Sequence, residues 1–73
     1  MVRVIRDLPD FIQEQLSNLP EYRMGVHRVV AILDDGSEFH NVHVAWAREV
    51  VRVGASEDIP FDPGRVVAVR NLP

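Results

Sequence analysis

The chain has no cysteine, no lysine and no threonine, and only one tryptophan and four glycines. Without cysteine it can form no disulfide staple, no thiolate nucleophile and no cysteine-ligated zinc site. The same absence fits a cytoplasmic setting. No apolar run approaches the ~20 residues that a membrane-spanning helix needs, which argues against a membrane partner. The opening MVRVIRDLPD places acids and proline where a signal peptide has its apolar core, so no targeting segment is evident. Positive charge is also short. The net charge of −3 opposes general binding to a phosphate backbone.

All eight basic residues are arginine. A coding sequence rich in G and C accounts for that bias. Selection for the planar, bidentate contacts that arginine makes to carboxylate or phosphate is the sharper alternative. Seventy-three residues, 47 % apolar and 26 % charged, have the balance of one small globular domain spanning 1–73. A core of that size commonly needs help from a metal, tight packing or a second subunit.

Residues 26–53 organise the chain: they read as three consecutive strands, with an Asp34-Asp35-Gly36 turn between the first two. Strand one, Val26 to Leu33, is nearly continuous in apolar residues, as a strand covered on both faces would be. Strand two runs from Ser37 to about Trp46. Its apolar parity shifts between Phe39 and Val42, which predicts a bulge near His40-Asn41. Strand three, Arg48 to Val53, alternates so that Arg48 and Arg52 share a face.

Ahead of this meander, Val2 to Arg6 is β-prone. Asp7 reads as the cap of a helix over about 8–19, with Pro9 in its first turn. Leu8, Ile12, Leu16 and Leu19 fall at helical spacing with Phe11 beside them, and Pro20 ends the run. Behind the meander, Ile59 and Phe61 offer apolar anchors and Asp62-Pro63-Gly64-Arg65 fits a type II turn. A closing strand follows over about 65–70. The fold class is therefore α+β, mainly β: an amphipathic helix sealing a curled antiparallel sheet of four or five strands.

No catalytic constellation emerges, so the sequence predicts no enzyme, no cofactor and no metal. His40 and His43 point to opposite faces of a regular strand and could meet one ion only if the bulge reorients one of them. With His27, they read as ordinary histidines of a strand surface. Asp34, Asp35, Glu57 and Asp58 sit in turns and loops, where carboxylates are normally solvated. Two surfaces remain. The segment RVVAVR, with Arg65, Val67, Val69 and Arg70, could add to a neighbouring subunit's sheet and make a homo-oligomer, or bind another protein partner. Trp46 with Arg48 and Arg52, joined by Arg65 and Arg70 if the strands are neighbours, could stack and neutralise a single nucleic-acid strand. The competing reading puts Trp46 in the core and pairs the arginines with nearby acids, among them Glu38, Glu49 and Asp62.

From Leu8 to Leu72 the order of elements resembles the small five-stranded barrels of the Sm-like and SH3-like classes. Asp35-Gly36 and Trp46 stand where Sm-like proteins carry a turn after strand one and an aromatic near the end of strand two. The resemblance implies a closed barrel. The Sm-like RNA-binding residues are missing: Ala47 and Val51 occupy the places of the family's Asp and Asn, and Gly64-Arg65 reverses its Arg-Gly. The sequence thus leads to a non-catalytic interaction module that self-associates through an edge strand, with single-strand nucleic-acid binding as the alternative.

Overall fold

The computed structural model describes residues 6–72. One helix, α1 (Asp10–Ser17), precedes four strands: β1 (Val26–Leu33), β2 (Glu38–Ala45), β3 (Glu49–Val53) and β4 (Val66–Asn71). The strands form one antiparallel sheet in the order β3-β2-β1-β4. The domain is mainly β with a single helix. Its sheet is not closed: β3 and β4 lie at opposite edges, so the expected barrel is not formed among the described residues. No helix of the described residues is long and apolar enough to cross a membrane.

The core lies between α1 and one face of the sheet. Ile12 and Leu16 from α1 and Leu8 just before it meet Val29, Ala31 and Leu33 of β1, Val42 and Val44 of β2, Val50 of β3 and Val66 of β4. Each fully buried aliphatic side chain contributes roughly 1.5–3 kcal/mol through removal from water. Leu19, Ile59 and Phe61 extend this cluster from the loops, with the Phe61 ring centroid 4.7 Å from that of Phe39. Phe11, by contrast, is exposed.

The helix starts later than its sequence suggests. Pro9, not Asp7, occupies the N-cap position, and it makes no side-chain cap hydrogen bond. Residues 6–8 are instead drawn into extended pairing along β3: Leu8 N–H donates to the Arg48 carbonyl (2.9 Å), and Val50 N–H donates to that of Arg6 (3.1 Å). Asp7 bridges to Glu49 within that pairing. The rest of the β-prone stretch Val2 to Arg6 lies outside the described residues. At its other end α1 stops at Ser17, ahead of the point where Pro20 would disfavour helical backbone at Leu19.

Three irregularities bend the sheet. The first is the bulge predicted near His40-Asn41. Val29 faces Val42 while Ala31 faces Phe39, leaving one extra residue on β2, and Asn41 takes φ 61°. A second sits on β3, where Val44 faces Val50 but His43 faces Arg52, so Val51 is the extra residue. It breaks the simple alternation expected of β3, and Arg48 falls in the preceding turn, not on a shared face with Arg52. The third leaves Val67 unmatched on β4.

The Asp-Asp-Gly hairpin forms as its sequence predicts. Gly36 N–H donates to Leu33 (3.0 Å) and Gly36 takes φ 88°, which completes a three-residue loop. The predicted type II turn at residues 62–65 is replaced by a 3-10 turn, Pro63–Arg65. There the Asp62 carboxylate accepts from Gly64 N–H (2.9 Å), and Gly64 does not take the positive φ that type II requires.

Candidate functional site

The two bulges on β2 and β3 set which side chains line up on the sheet face away from α1. Across three strands the register places Arg28 opposite His43, and His43 opposite Arg52. Directly opposed residues on antiparallel strands share a face, so the three form one row. Without the β2 bulge His43 would face His27 instead, and without the β3 bulge it would face Val51.

Above this row the chain folds back before β1. Tyr22 N–H and Arg23 N–H both donate to the Val26 carbonyl (2.8 and 3.2 Å), and the Glu21 carboxylate accepts from Gly25 N–H (2.8 Å). The tight turn lays the Tyr22 ring over the row. Its centroid is 4.3 Å from the Arg28 guanidinium carbon and 5.4 Å from that of Arg23. The His43 ring meets it edge-on at 6.1 Å. Guanidinium over an aromatic face is an attractive arrangement that also fixes the ring.

Tyr22, Arg23, His43 and Arg52 line an open cleft of about 470 Å³, with Glu57 on its wall. Glu57 is carried there by the loop after β3, which is tied to the β2 bulge: Gly54 N–H donates to the Asn41 carbonyl (2.9 Å). Burial holds the His43 imidazole below its ordinary pKa, and the charges of Arg52, Arg28 and Arg23 lower it further against the opposing Asn41 carbonyl. The His43 imidazole thus holds a proton less readily than a free histidine.

The arginines singled out in the sequence do not gather. Arg48 pairs with Asp7 (3.4 Å), Arg65 with Asp34 (2.7 Å) and Asp35 (3.4 Å), and Arg70 with Glu38 (3.3 Å). Arg52 lies on β3 and Arg70 on β4, the two opposite edges, so the four arginines do not flank one another. Only Glu38 among the acids expected to pair with them does so. Arg70 and Glu38 clasp across β1 on the face where Val30 is buried. None of the ion pairs among the described residues involves Arg23 or Arg52.

Trp46 is not core. It sits at the tip of the β2–β3 hairpin, 74 % exposed, near Asp7, Arg48 and Glu49. Its backbone N–H donates to the Gly25 carbonyl (2.6 Å), and its ring lies so close to Gly25 that a Cβ there would fall 2.8 Å from two ring carbons. Val67 of β4 is also exposed, whereas Val69 packs against the core from the same strand. His40 is exposed, 3.8 Å from Glu38. His27, expected on a strand surface, is buried on the core side opposite Val44. Its Nε2 lies 3.0 Å from the Leu19 carbonyl, which can only accept, so that nitrogen carries the proton.

Tyr22, Arg23 and Arg28 escape a reading of the sequence, because nothing local marks them. The turn that brings Tyr22 over β1, and the bulges that align Arg28 with His43 and Arg52, appear only with the strand register. Together these elements define an open-sheet, mainly β domain with one sealing helix and a basic–aromatic cleft. No family model, no curated protein and no solved structure matches this chain.

Proposed function

We propose that the protein is a small, non-catalytic cytoplasmic interaction module that self-associates through β4. One observation carries this reading: the two sheet edges are treated differently. Residues 6–8 pair with residues 48–50 at the start of β3, while no described residue pairs with the outer edge of β4. A strand edge of this kind offers unpaired N–H and C=O groups to a second strand. Val67, 46 % exposed, adds an apolar contact, and the clasps of Arg65 and Arg70 to acids of their own chain remove charge that would repel a copy. Strand addition there would also extend the bent sheet towards the Sm-like and SH3-like arrangement that the order of elements resembles.

Sedimentation at micromolar concentration tests the reading. The native chain is expected as a dimer or larger species and Val67→Lys as a folded monomer, because a lysine on an open edge blocks strand addition. A native chain that stays strictly monomeric sinks the idea.

A second reading, single-strand nucleic-acid binding, draws on the exposure of Trp46. Asp7 and Glu49 beside the ring, and the engagement of Arg48 by Asp7, place negative charge where phosphates would lie. Titration with short oligonucleotides at low salt, followed by Trp46 fluorescence, decides it; an unchanged spectrum removes it.

A further inference from the structure

We propose that the cleft beneath Tyr22 binds a small organic phosphate, with Arg23 and Arg52 taking the phosphate and the Tyr22 ring forming a wall for the organic part. This goes beyond self-association and uses β1 to β3 and the turn before them, not the free edge of β4.

Three features select the ligand. Arg23 and Arg28 lie over the Tyr22 ring and Arg52 lines the same cleft, in a chain whose net charge is −3, so positive charge is concentrated here against the general balance. A carboxylate is satisfied by a single guanidinium fork, whereas a phosphate dianion with three acceptor oxygens uses two or more. The volume, about 470 Å³, exceeds what a bare phosphate fills and lies within the range of small-molecule sites. Finally, Glu57 on the cleft wall offers an acceptor to hydroxyl or amino groups, as a sugar or a nucleobase carries. The same carboxylate, with Glu21 in the neighbouring turn, repels a long polyanion and restricts the site to short ligands.

His43 completes the site. Burial, and the charges of Arg52, Arg28 and Arg23, hold its pKa below the ordinary histidine value. Among the described residues, Tyr22 and Glu57 also face the cleft and can titrate. A bound dianion offsets the arginine charges, so His43 takes up a proton as the ligand enters.

The test is calorimetric and NMR titration of the full chain with 5′-AMP, ribose 5-phosphate, inorganic phosphate and adenosine. Both organic phosphates are expected to bind more tightly than inorganic phosphate, and adenosine more weakly than 5′-AMP by about tenfold or more. A preference between the two organic phosphates tells a nucleotide from a sugar phosphate. Arg23→Gln and Arg52→Gln, both at exposed positions, should each weaken 5′-AMP by about tenfold with the fold intact by circular dichroism. Glu57→Ala, which removes that acceptor, should narrow the preference for 5′-AMP over inorganic phosphate several-fold, and the His43 ring protons should move towards their protonated shifts on binding. The proposal is overturned if no phosphate binds, if affinity is unchanged in both arginine variants, or if only oligonucleotides bind with a strength that grows with length.

Discussion

Trp46 and Ala47 occupy the two central positions of the β2–β3 hairpin with φ 55° and 57°, and Arg48 N–H closes the turn on the Ala45 carbonyl at 3.0 Å. Left-handed backbone costs an L-residue roughly 1–2 kcal/mol, and such turns favour Asn-Gly. The replacement of Trp46-Ala47 by Asn-Gly is therefore expected to raise stability by about 1 kcal/mol in urea titration. A fall would show that the Trp46 ring on Gly25 outweighs the strain. Gly25 is the opposite case, because φ 77° and the Trp46 ring both leave no room for a side chain. Gly25→Ala should destabilise by about 1–3 kcal/mol and shift the Trp46 emission as the ring is pushed away. A variant with native stability and an unmoved spectrum would contradict that contact.

Strands β2 and β3 make the cleft sensitive to pH through His43. Its pKa in the folded chain is depressed by burial first and then by three arginines, whereas in the unfolded chain it is free of them. As pH falls, the unfolded state takes up that proton first. The contribution of neutral His43 to stability is then complete above about pH 7 and is lost as pH falls below the ordinary histidine value of about 6.5. Subtracting the stability curve of His43→Gln from that of the native chain isolates the effect. The difference should fall with acid through that window, and a difference that rises on acidification refutes the assignment. Along the same strands, the β2 bulge could be read from the shifted apolar parity of Phe39 and Val42. The β3 bulge could not, because Val50, Val51 and Val53 are interchangeable in hydrophobicity and only pairing with β2 shows which one is extra.

At the scale of the molecule, one two-turn helix seals a single layer of sheet among the described residues, so stability rests on few side chains. For a chain of this length it is expected to be on the order of 4–11 kcal/mol. Leu16→Ala removes a fully buried side chain shared by helix and sheet and should cost about 2–5 kcal/mol, enough to lower the urea midpoint sharply. A loss under about 1 kcal/mol would mean that α1 contributes little to the core. The helix, the Asp-Asp-Gly hairpin, the three-strand meander and the last strand were all legible in the order of residues, because each depends on local periodicity and turn chemistry. The helix start and the turn at Asp62 depart from the local pattern because a non-local partner and a side-chain acceptor compete with it. Sheet order, the open β4 edge, the exposure of Trp46 and the row of Arg28, His43 and Arg52 depend on pairings between residues distant along the chain. A one-residue slip on β2 or β3 would bring different side chains together, and no local pattern fixes that slip on β3.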